Sequence, residues 1–528
     1  MSDFDSEYDI VIAGAGVNGL ACACLLAKEG LRVCVIERNK EVGGGAITKE
    51  VTKPGFKHDL FGSSHVWIQL NKDFKKHIEP ELARYGFKYI YPQDHITGHP
   101  DKQGGPGIVI YKDIAKTSAA IAHYSQKDAD RYCEIYNEFG LIKEAVVKNF
   151  FSPPAPPSTL SRAMENSHEG LRRLQDFSLS AQSWVEYNFE NDFVKAVMLY
   201  WALAPQILPE QEGAGQSFYV MIPAIHDFGQ GIPQGGSQEL PNCMVKFLES
   251  HGHSVLTGET VDEFLIEGGE VIGIQLKKGK KIKAKRAVVS GLDPKQTFLQ
   301  CMQKDHLDRP FVDMVNHYSF GKITVIRQHL ALSEPPEYIN GLDMNQCAFH
   351  RLVDSTAQIR KFYAEIATGI PPTDPPLWVA CWTLLDPSRA PNGQHTLIYD
   401  TFVSNWLADG RTWENIKQEY IQTILLPKLQ QYAPNITEKT ILGDYIETGE
   451  SLERANLSFV DGTTNGGERI VAQLGAFRPF PGYAHYRSPI RNLYMTGPHC
   501  HPGNGISAMG TITARVMLDD MGIRKADF

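Results

Sequence analysis

The first forty residues alternate between apolar runs and a glycine-rich turn. The run Asp9-Ile10-Val11-Ile12-Ala13 is short and apolar, as a buried parallel strand requires, and Leu31-Arg32-Val33-Cys34-Val35-Ile36 is a second run of this kind. Residues 20–28, between them, predict a helix. The order strand, glycine turn, helix, strand is typical of a nucleotide-binding βαβ unit, so the N-terminus predicts a doubly wound, Rossmann-type α/β domain.

The turn between the first predicted strand and the helix reads Gly14-Ala15-Gly16-Val17-Asn18-Gly19. In this GxGxxG pattern Gly14 permits the tight turn, Gly16 lets the backbone approach a pyrophosphate, and Gly19 lets the helix pack closely on the strand. The pyrophosphate then lies at the N-terminus of the helix, where unpaired N–H groups and the positive dipole end favour an anion. A chance glycine turn is the alternative, and the two flanking strands argue against it.

An acidic residue and a second glycine cluster follow the βαβ unit. Glu37 ends the second strand, where a carboxylate accepts the ribose hydroxyls of an adenosine and repels a 2′-phosphate. This favours FAD or NAD over NADP. The run Glu41-Val42-Gly43-Gly44-Gly45-Ala46-Ile47-Thr48 comes a few residues later. NAD dehydrogenases do not need such a cluster, whereas large flavoproteins do, because the backbone must pass close to the phosphates of an extended FAD.

The remaining pattern divides the chain into alternating segments. A meander of short predicted strands with glycine turns follows residue 254, and a last strand, Leu493-Tyr494-Met495, precedes a closing helix expected over residues 507–521. We therefore expect the chain to leave the nucleotide-binding domain twice and return to it. The expected segments are 1–115, 235–310 and 450–528 for the FAD-binding domain, and 116–234 and 311–449 for a second, substrate-binding domain.

The second domain contains an unusually aromatic helical stretch. Residues 181–203 include Trp184, Tyr187, Phe189, Phe193, Tyr200 and Trp201. Core packing is one interpretation of these rings. The other is that some of them line a long apolar tunnel that reaches the cofactor, because ligand pockets are mostly apolar and aromatic.

Composition and charge exclude several function classes. The chain has 528 residues, more than one ordinary core, and its formal charge of -9 argues against a nucleic-acid partner. The basic run at residues 277–286 predicts an exposed hairpin. Nine scattered cysteines without a CxxC pair suit a reducing compartment and argue against zinc or a disulfide scaffold. Without a predicted signal peptide or membrane span, we expect a cytoplasmic protein, with peripheral membrane contact left open.

These motifs together resemble the phytoene-desaturase-like branch of the FAD-dependent amine-oxidase superfamily. The resemblance covers nearly the full length of the chain. The chain is most similar to the longer members of the family, which include carotenoid-ketolase-like and phytoene-dehydrogenase-related proteins. Further matching runs are Pro54-Gly55-Phe56-Lys57-His58-Asp59, Pro233-Gln234-Gly235-Gly236, residues 287–294, residues 386–397 and residues 486–506. Gly45 stands where many relatives place an arginine, which is a departure from the pattern. The resemblance implies a discontinuous α+β substrate domain of the amine-oxidase and GDI type.

The resemblance also implies a set of cofactor-binding residues. They are Gly14, Gly16, Gly19, Glu37, Arg38, Gly43, Gly44, Gly45, Ala46, Gly497, His501, Gly503, Gly505 and Ile506. The C-terminal members have a physical interpretation of their own. A turn that enters a helix can aim N–H groups at the flavin end where reduction places negative charge, although a purely structural helix start is the alternative.

The run His499-Cys500-His501 also suggests a metal site or a covalent bond to the flavin, and both interpretations are less favoured. A metal site needs three or four convergent ligands, and adjacent residues alternate sides, so we expect no metal. A covalent flavin bond through Cys500 or a histidine is chemically feasible, but nothing in the sequence demands it.

The leading hypothesis is an FAD-dependent oxidoreductase that acts on C–C bonds of an apolar, isoprenoid-like or polyene-like small molecule. A redox-neutral isomerase, a saturase or a ketolase shares every motif, and a non-catalytic prenyl-binding chaperone shares the fold. The catalytic residues are not evident, since the cofactor itself carries hydride chemistry. His226 and Asp227 are candidate polar groups on a channel segment. No oligomeric state is specified.

Overall fold

The computed structural model describes residues 4–204, 206–215, 218, 221–503 and 505–523. The strands are β1 (Ser6–Ala13), β2 (Val33–Glu37), β3 (Thr48–Lys49), β4 (His58–Asp59), β5 (Tyr89–Ile90), β6 (His95–His99), β7 (Ile108–Tyr111), β8 (Ile232–Pro233), β9 (Ser254–Thr257), β10 (Val261–Glu267), β11 (Glu270–Leu276), β12 (Lys281–Ser290), β13 (Ile323–Leu332), β14 (Phe349–Leu352), β15 (Leu377–Ala380), β16 (His395–Ser404), β17 (Ile441–Glu447) and β18 (Leu493–Met495). The helices are α1 (Val17–Lys28), α2 (Val66–Gln69), α3 (Glu79–Ala83), α4 (Ile114–Ala122), α5 (Gln126–Phe150), α6 (Ser158–Met164), α7 (His168–Ser178), α8 (Ala181–Asn188), α9 (Asp192–Ala202), α10 (Met221–Phe228), α11 (Glu239–Ser250), α12 (Arg309–His317), α13 (Leu342–Asn345), α14 (Thr356–Ala367), α15 (Trp413–Tyr420), α16 (Leu426–Gln430), α17 (Gly449–Ala455) and α18 (Gly510–Asp520).

The first sheet brings the two ends of the chain and its middle together. Its order is β10-β11-β12-β1-β2-β9, and β18 pairs with β12. The pairs β12/β1, β1/β2, β2/β9 and β12/β18 are parallel. The second half of β1, Ile10–Ala13, and the first four residues of β2 are apolar and buried, as expected for strands inside a parallel sheet. The predicted Rossmann-type domain is therefore confirmed, and the basic run forms the predicted hairpin between β11 and β12.

The closing helix starts later than the pattern predicts. It begins at Gly510 rather than at residue 507. Ala508 has a φ of 54°, which lies outside the helical range, so the helix cannot start before it. The carbonyls of Ser507 and Ala508 instead accept the side-chain amide of Asn71. The turn before the helix is thus a fixed loop against the first domain.

The second sheet is mostly antiparallel, with the order β17-β13-β16-β15-β14-β6-β7. Two apolar cores cover its faces, and β13, which lies between β17 and β16, is buried along its whole length. β6 and β7 belong to this sheet, since β6 pairs in parallel with β14. The predicted boundary at residue 115 therefore falls after two strands of the second sheet. A strand pattern gives the period of the side chains and not the sheet that the strand joins.

The aromatic stretch is mainly core. It forms α8 and α9, which are separate helices because the side chain of Asn191 caps α9 by accepting the N–H groups of Phe193 and Val194. Trp184 stacks on Phe218 with ring centroids 3.9 Å apart, and Trp201 is buried, whereas Tyr187 is 72% exposed. Within the described part of the chain, no helix is both long and apolar enough to cross a membrane.

Candidate cofactor-binding site

A groove opens where β1 and β2 end. It continues past the second glycine cluster to the turn before α18. The predicted cofactor residues that line it are Gly14, Gly16, Gly19, Glu37, Arg38, Gly43, Gly44, Gly45, Gly497, Gly505 and Ile506. The predicted residues Ala46, His501 and Gly503 do not line it. The whole lining comes from four separate parts of the sequence, residues 14–45, 259–301, 456–464 and 496–506, which meet where the carboxyl ends of parallel strands converge.

The two glycine clusters form one cradle. The N–H of Gly43 donates to the carbonyl of Ala15 at 2.8 Å, which joins the clusters. A Cβ added to Gly16 would point into the cradle, with the Cα of Gly44 as its nearest neighbour at 3.9 Å. The amides of Gly16, Gly44 and Gly45 have no hydrogen-bond partner within the described residues. Free N–H groups at a helix N-terminus are the donors that a pyrophosphate needs.

Glu37 is held rigidly at the end of β2. One carboxylate oxygen accepts the N–H of Ala15 at 2.9 Å, and the other accepts the N–H of Asn39 at 2.9 Å. Each carboxylate oxygen has a second lone pair available. The geometry therefore keeps an acceptor at the groove wall, where the ribose of an adenosine would lie.

We expect Glu37→Arg to weaken FAD binding about tenfold, because it removes the ribose acceptor and the anchor of the glycine turn. Fluorescence titration of the apoprotein with FAD measures this loss. Glu41→Arg is the matched control, since Glu41 is exposed and paired only with Lys49 among the described residues. An unchanged affinity in Glu37→Arg would show that this carboxylate does not contact the ligand.

The far end of the groove is built by the segment after β18. Thr496 lines the groove, is fully buried, and its hydroxyl has no hydrogen-bond partner within the described residues. Asn18, on α1, donates to the carbonyl of Gly505 at 2.9 Å and accepts the N–H of Met509 at 3.2 Å. This side chain therefore fixes the C-terminal turn against α1. Sequence reasoning missed both Thr496 and Asn18, although both lie inside the motifs that it used.

The residues of the C-terminal motif that do not line the groove support it from behind. His501 contacts the carbonyl of Asn149 through Nε2 at 2.9 Å, and its own carbonyl accepts the Tyr486 hydroxyl at 2.7 Å. Gly503 faces two guanidinium groups, those of Arg469 and Arg478. Asn504 lies outside the described residues. His501 and Gly503 thus lie behind the residues that line the groove, and their contact with a flavin stays a prediction.

His499, Cys500 and His501 are all buried. Burial, together with the nearby Arg478, lowers the pKa of His499 to about 3 and that of His501 to about 4, so both rings are neutral at pH 7. Burial raises the pKa of the Cys500 thiol to about 12. Within the described residues, no group of three or more histidine, cysteine or acidic side chains is placed to hold a metal ion.

His226 and Asp227 lie away from the groove. His226 shares a hydrogen bond of 2.7 Å with the Tyr132 hydroxyl, and Asp227 accepts the Tyr136 hydroxyl at 2.7 Å and pairs with Lys143. These contacts join α10 to α5. His226 also borders a small apolar cavity that includes Trp184, Phe189, Met198 and Phe218 and that shares no lining residue with the groove. The structure does not bring the two candidates to the cofactor site.

A buried ion-pair network joins β4 to the segment between β15 and β16. Arg389 contacts Asp59 at 2.6 Å and Asp386 at 3.1 Å, and all three side chains are at most 2% exposed. Asp59 also accepts the N–H of Ser237, and Asp386 accepts the N–H of Gly235. Burial opposes ionisation of both acids, but Arg389 and these donors hold their pKa values below the usual range. The network therefore stays charged and fixes the segment where the chain re-enters the first domain.

Comparisons with known proteins agree with this geometry. The family described as NAD(P)-binding Rossmann-like domain matches residues 12–75. The chain is 26% identical to pyridine nucleotide-disulfide oxidoreductase domain-containing protein 2 of Rattus norvegicus, covering 98% of this chain and 94% of that protein. It is 25% identical to one subunit of the limonene dehydrogenase of Castellaniella defragrans, covering 98% and 95%. It is 24% identical to the neurosporene-forming phytoene desaturase of Rhodobacter capsulatus, covering 96% and 94%. Prolycopene isomerases are also among its relatives.

Solved structures share the fold. Putrescine oxidase bound to putrescine superposes with a TM-score of 0.61 at 16% identity, covering 98% of this chain and 99% of that one. The Rab GDI of Plasmodium falciparum superposes with a TM-score of 0.51 at 12% identity, covering 99% and 100%. The relatives named above as dehydrogenase and desaturase are oxidoreductases. The fold and these full-length similarities fit the FAD-dependent amine-oxidase superfamily, and phytoene-desaturase-like proteins are among the relatives that the chain resembles.

Proposed function

We propose that the protein binds FAD and is an oxidoreductase that desaturates or dehydrogenates C–C bonds of an apolar, isoprenoid-like or polyene-like substrate. One observation carries the proposal. A single groove runs from Glu37 past the free amides of the two glycine clusters to Thr496, Gly505 and Ile506. This succession matches, in order, what a ribose, a pyrophosphate and a flavin ring need from a protein.

Each part of the groove would have a separate task. Glu37 would accept the adenosine ribose, and the amides of Gly16, Gly44 and Gly45 would hold the pyrophosphate. The Thr496 hydroxyl and the backbone around Gly505 would contact the ring. A bound FAD would supply the hydride acceptor or donor, so the protein needs to bind and orient the substrate and to exclude water.

The apolar substrate is supported by the walls beside the groove. Phe459 lines the groove and packs edge-to-face on Phe61 at 5.1 Å between centroids, and Phe402 joins the same apolar cluster. A hydrocarbon chain that lies here would exchange water for aromatic contacts. Such substrates partition into membranes, and the nine free cysteines suit a reducing compartment. We therefore also propose a cytoplasmic location with peripheral membrane contact.

Two alternatives differ in their observable consequences. A redox-neutral isomerase, a saturase or a ketolase would use the same groove, and prolycopene isomerases are among the relatives. A prenyl-binding chaperone would resemble the Rab GDI in fold and would be colourless. The intact cradle and the orphaned Thr496 hydroxyl favour a flavin-binding protein over a chaperone.

We expect the purified protein to be yellow and to release FAD on denaturation, which an absorption spectrum and chromatography of the released flavin measure. Anaerobic bleaching against a panel of apolar substrates then separates dehydrogenation, which reduces the flavin, from isomerisation, which leaves it oxidised at the end point. Release of FMN, or a colourless protein that does not take up added FAD, would contradict the proposal.

A further inference from the structure

A row of charged side chains crosses one face of the second sheet. Arg351 lies directly opposite Trp378 on the neighbouring strand, and Trp378 lies opposite Asp400. Asp400 lies opposite Arg327 on the next strand, and Arg327 lies opposite Glu447. Directly paired residues point to the same face, so these side chains form one transverse row. The four ionisable members are between 3% and 9% exposed. Such a row is unexpected on a face that is otherwise apolar.

Two of the four charges are compensated inside the row. Arg327 donates through Nε and Nη2 to one oxygen of Asp400, at 2.9 and 2.6 Å. Glu447 contacts Nε2 of His329 at 2.9 Å. Burial raises the pKa of Glu447 to about 8 and holds the pKa of His329 well below its usual value, so this pair is uncharged near pH 7.

Arg351 has no ion pair of its own in the described part of the chain, although Asp400, which Arg327 binds, also acts on it electrostatically. Among the described residues, no carboxylate lies within ion-pair distance of its guanidinium. Nη1 donates to the Tyr200 carbonyl at 2.8 Å, and the guanidinium lies 4.0 Å from the centre of the Trp201 ring, but Nε has no hydrogen-bond partner in the part of the chain that the structure describes. A buried, unpaired cation is costly, and this row therefore carries one excess positive charge.

The surroundings of Arg351 offer further unused hydrogen-bond donors. The Tyr363 hydroxyl and the indole N–H of Trp382 are buried without a partner within the described residues. Tyr363 interacts electrostatically with Arg351, and Trp382 lies near Phe349, which is itself in contact distance of the guanidinium. Donors beside an unpaired cation suit an anionic oxygen group, above all a carboxylate, which accepts a guanidinium in bidentate geometry.

Partly accessible aromatic side chains lie on the face between Arg351 and the groove. Trp378 and Phe402 keep part of their surface accessible although they lie on central strands of the sheet. Phe402 packs in one cluster with Phe61 and the groove-lining Phe459. Arg327, whose Nη1 donates to the carbonyl of Phe61 at 3.2 Å, stands three strand spacings from Arg351, about 14 Å at 4.8 Å each.

We propose that Arg351 binds the carboxylate end of an elongated apolar acid whose hydrocarbon part reaches the groove. This inference rests on the proposed function and specifies its substrate class as a long-chain or isoprenoid carboxylic acid. The carboxylate would compensate the excess charge of the row, and the chain would lie along Trp378 and Phe402. The anchor would set the distance between the acid end and the bond that reacts.

The test compares an acid with its neutral ester. cis-Parinaric acid is a fluorescent polyene carboxylate, and its methyl ester has the same chain without the charge. We expect the wild-type protein to bind the acid at least about thirtyfold more tightly than the ester. Arg351→Met should remove this preference by weakening binding of the acid alone. Arg360→Met, which changes an arginine with a side chain 60% exposed, is the control and should keep the preference.

Equal affinity for the acid and the ester in the wild-type protein would overturn the inference, and so would a preference that survives in a folded Arg351→Met. If the circular dichroism spectrum shows that Arg351→Met does not fold, the ratio of the wild-type affinities for the acid and the ester tests the inference. Quenching of tryptophan fluorescence is the second measurement, and we expect it only from the acid because Trp201 lies on Arg351. Flavin content is measured on the same samples. A preference for the acid in a protein that takes up no flavin contradicts the proposed function alone, whereas bound FAD without the preference contradicts this inference alone.

Discussion

Gly16→Val is expected to lower the affinity for FAD by about a hundredfold or more. Gly16 has a φ of -68°, which valine tolerates, and an added Cβ has no heavy atom nearer than 3.9 Å. The chain should therefore fold, with the new side chain in the place of the pyrophosphate. Losing two amide contacts to a charged phosphate costs about 3–6 kcal/mol, which exceeds a hundredfold change in Kd. Titration of the apoprotein with FAD measures the effect.

Gly140→Val is the matched control for this substitution. Gly140 lies on α5, and no heavy atom lies within 4 Å of a Cβ added there. The control should bind FAD like the wild-type protein. If Gly16→Val kept the wild-type affinity while its circular dichroism spectrum was unchanged, the cradle would not be the phosphate site.

Arg389→Met is expected to lower the free energy of unfolding by about 3–5 kcal/mol. The substitution keeps most of the side-chain volume but leaves Asp59 and Asp386 as buried, unpaired acids, and breaking a buried pair by removing one partner has this cost. The two acids also hold the amides of Ser237 and Gly235, so the loss should spread to the connection between the domains. Denaturant unfolding followed by circular dichroism measures it.

An exposed arginine provides the comparison. Arg411 pairs with Asp409 at 2.7 Å, and about half of each side chain is exposed. Arg411→Met should change the stability by less than about 1 kcal/mol. If Arg389→Met changed the free energy of unfolding as little as this, the buried network would not stabilise the fold. Its role would then be to fix how the segments that it joins are arranged.

Long-range pairing explains what sequence reasoning missed. Arg389 and Asp59 are 330 residues apart, and Arg351 meets Trp201 and Tyr200 across about 150 residues. No spacing rule connects such positions, because each of these residues, taken alone, is compatible with an exposed surface. A local pattern predicts His226 and Asp227 as site residues, whereas the structure places them in contacts between α10 and α5.

Short-range sequence patterns, in contrast, predict the first domain and most of the groove. The GxGxxG turn, Glu37 and the Gly43-Gly44 cluster need particular backbone shapes within a few residues of each other, so their pattern alone predicts the cradle that the structure contains. The sequence predicts members of the C-terminal motif as cofactor-binding residues without showing which of them line the groove. Which of its members face the groove depends on packing against Asn149, Tyr486 and Arg478, and this packing places Gly505 at the groove and His501 behind it.

The chain sequence therefore specifies the nucleotide-binding architecture, because that architecture depends on strand period, glycine backbone freedom and one acidic residue at a strand end. Tertiary packing alone assigns β6 and β7 to the second sheet and assembles the charged row in which Arg351, among the described residues, has no ion pair of its own. The reason is physical. Periodicity determines which face of a strand is apolar, whereas sheet order and register determine which charges meet on that face and which of them stay without a partner.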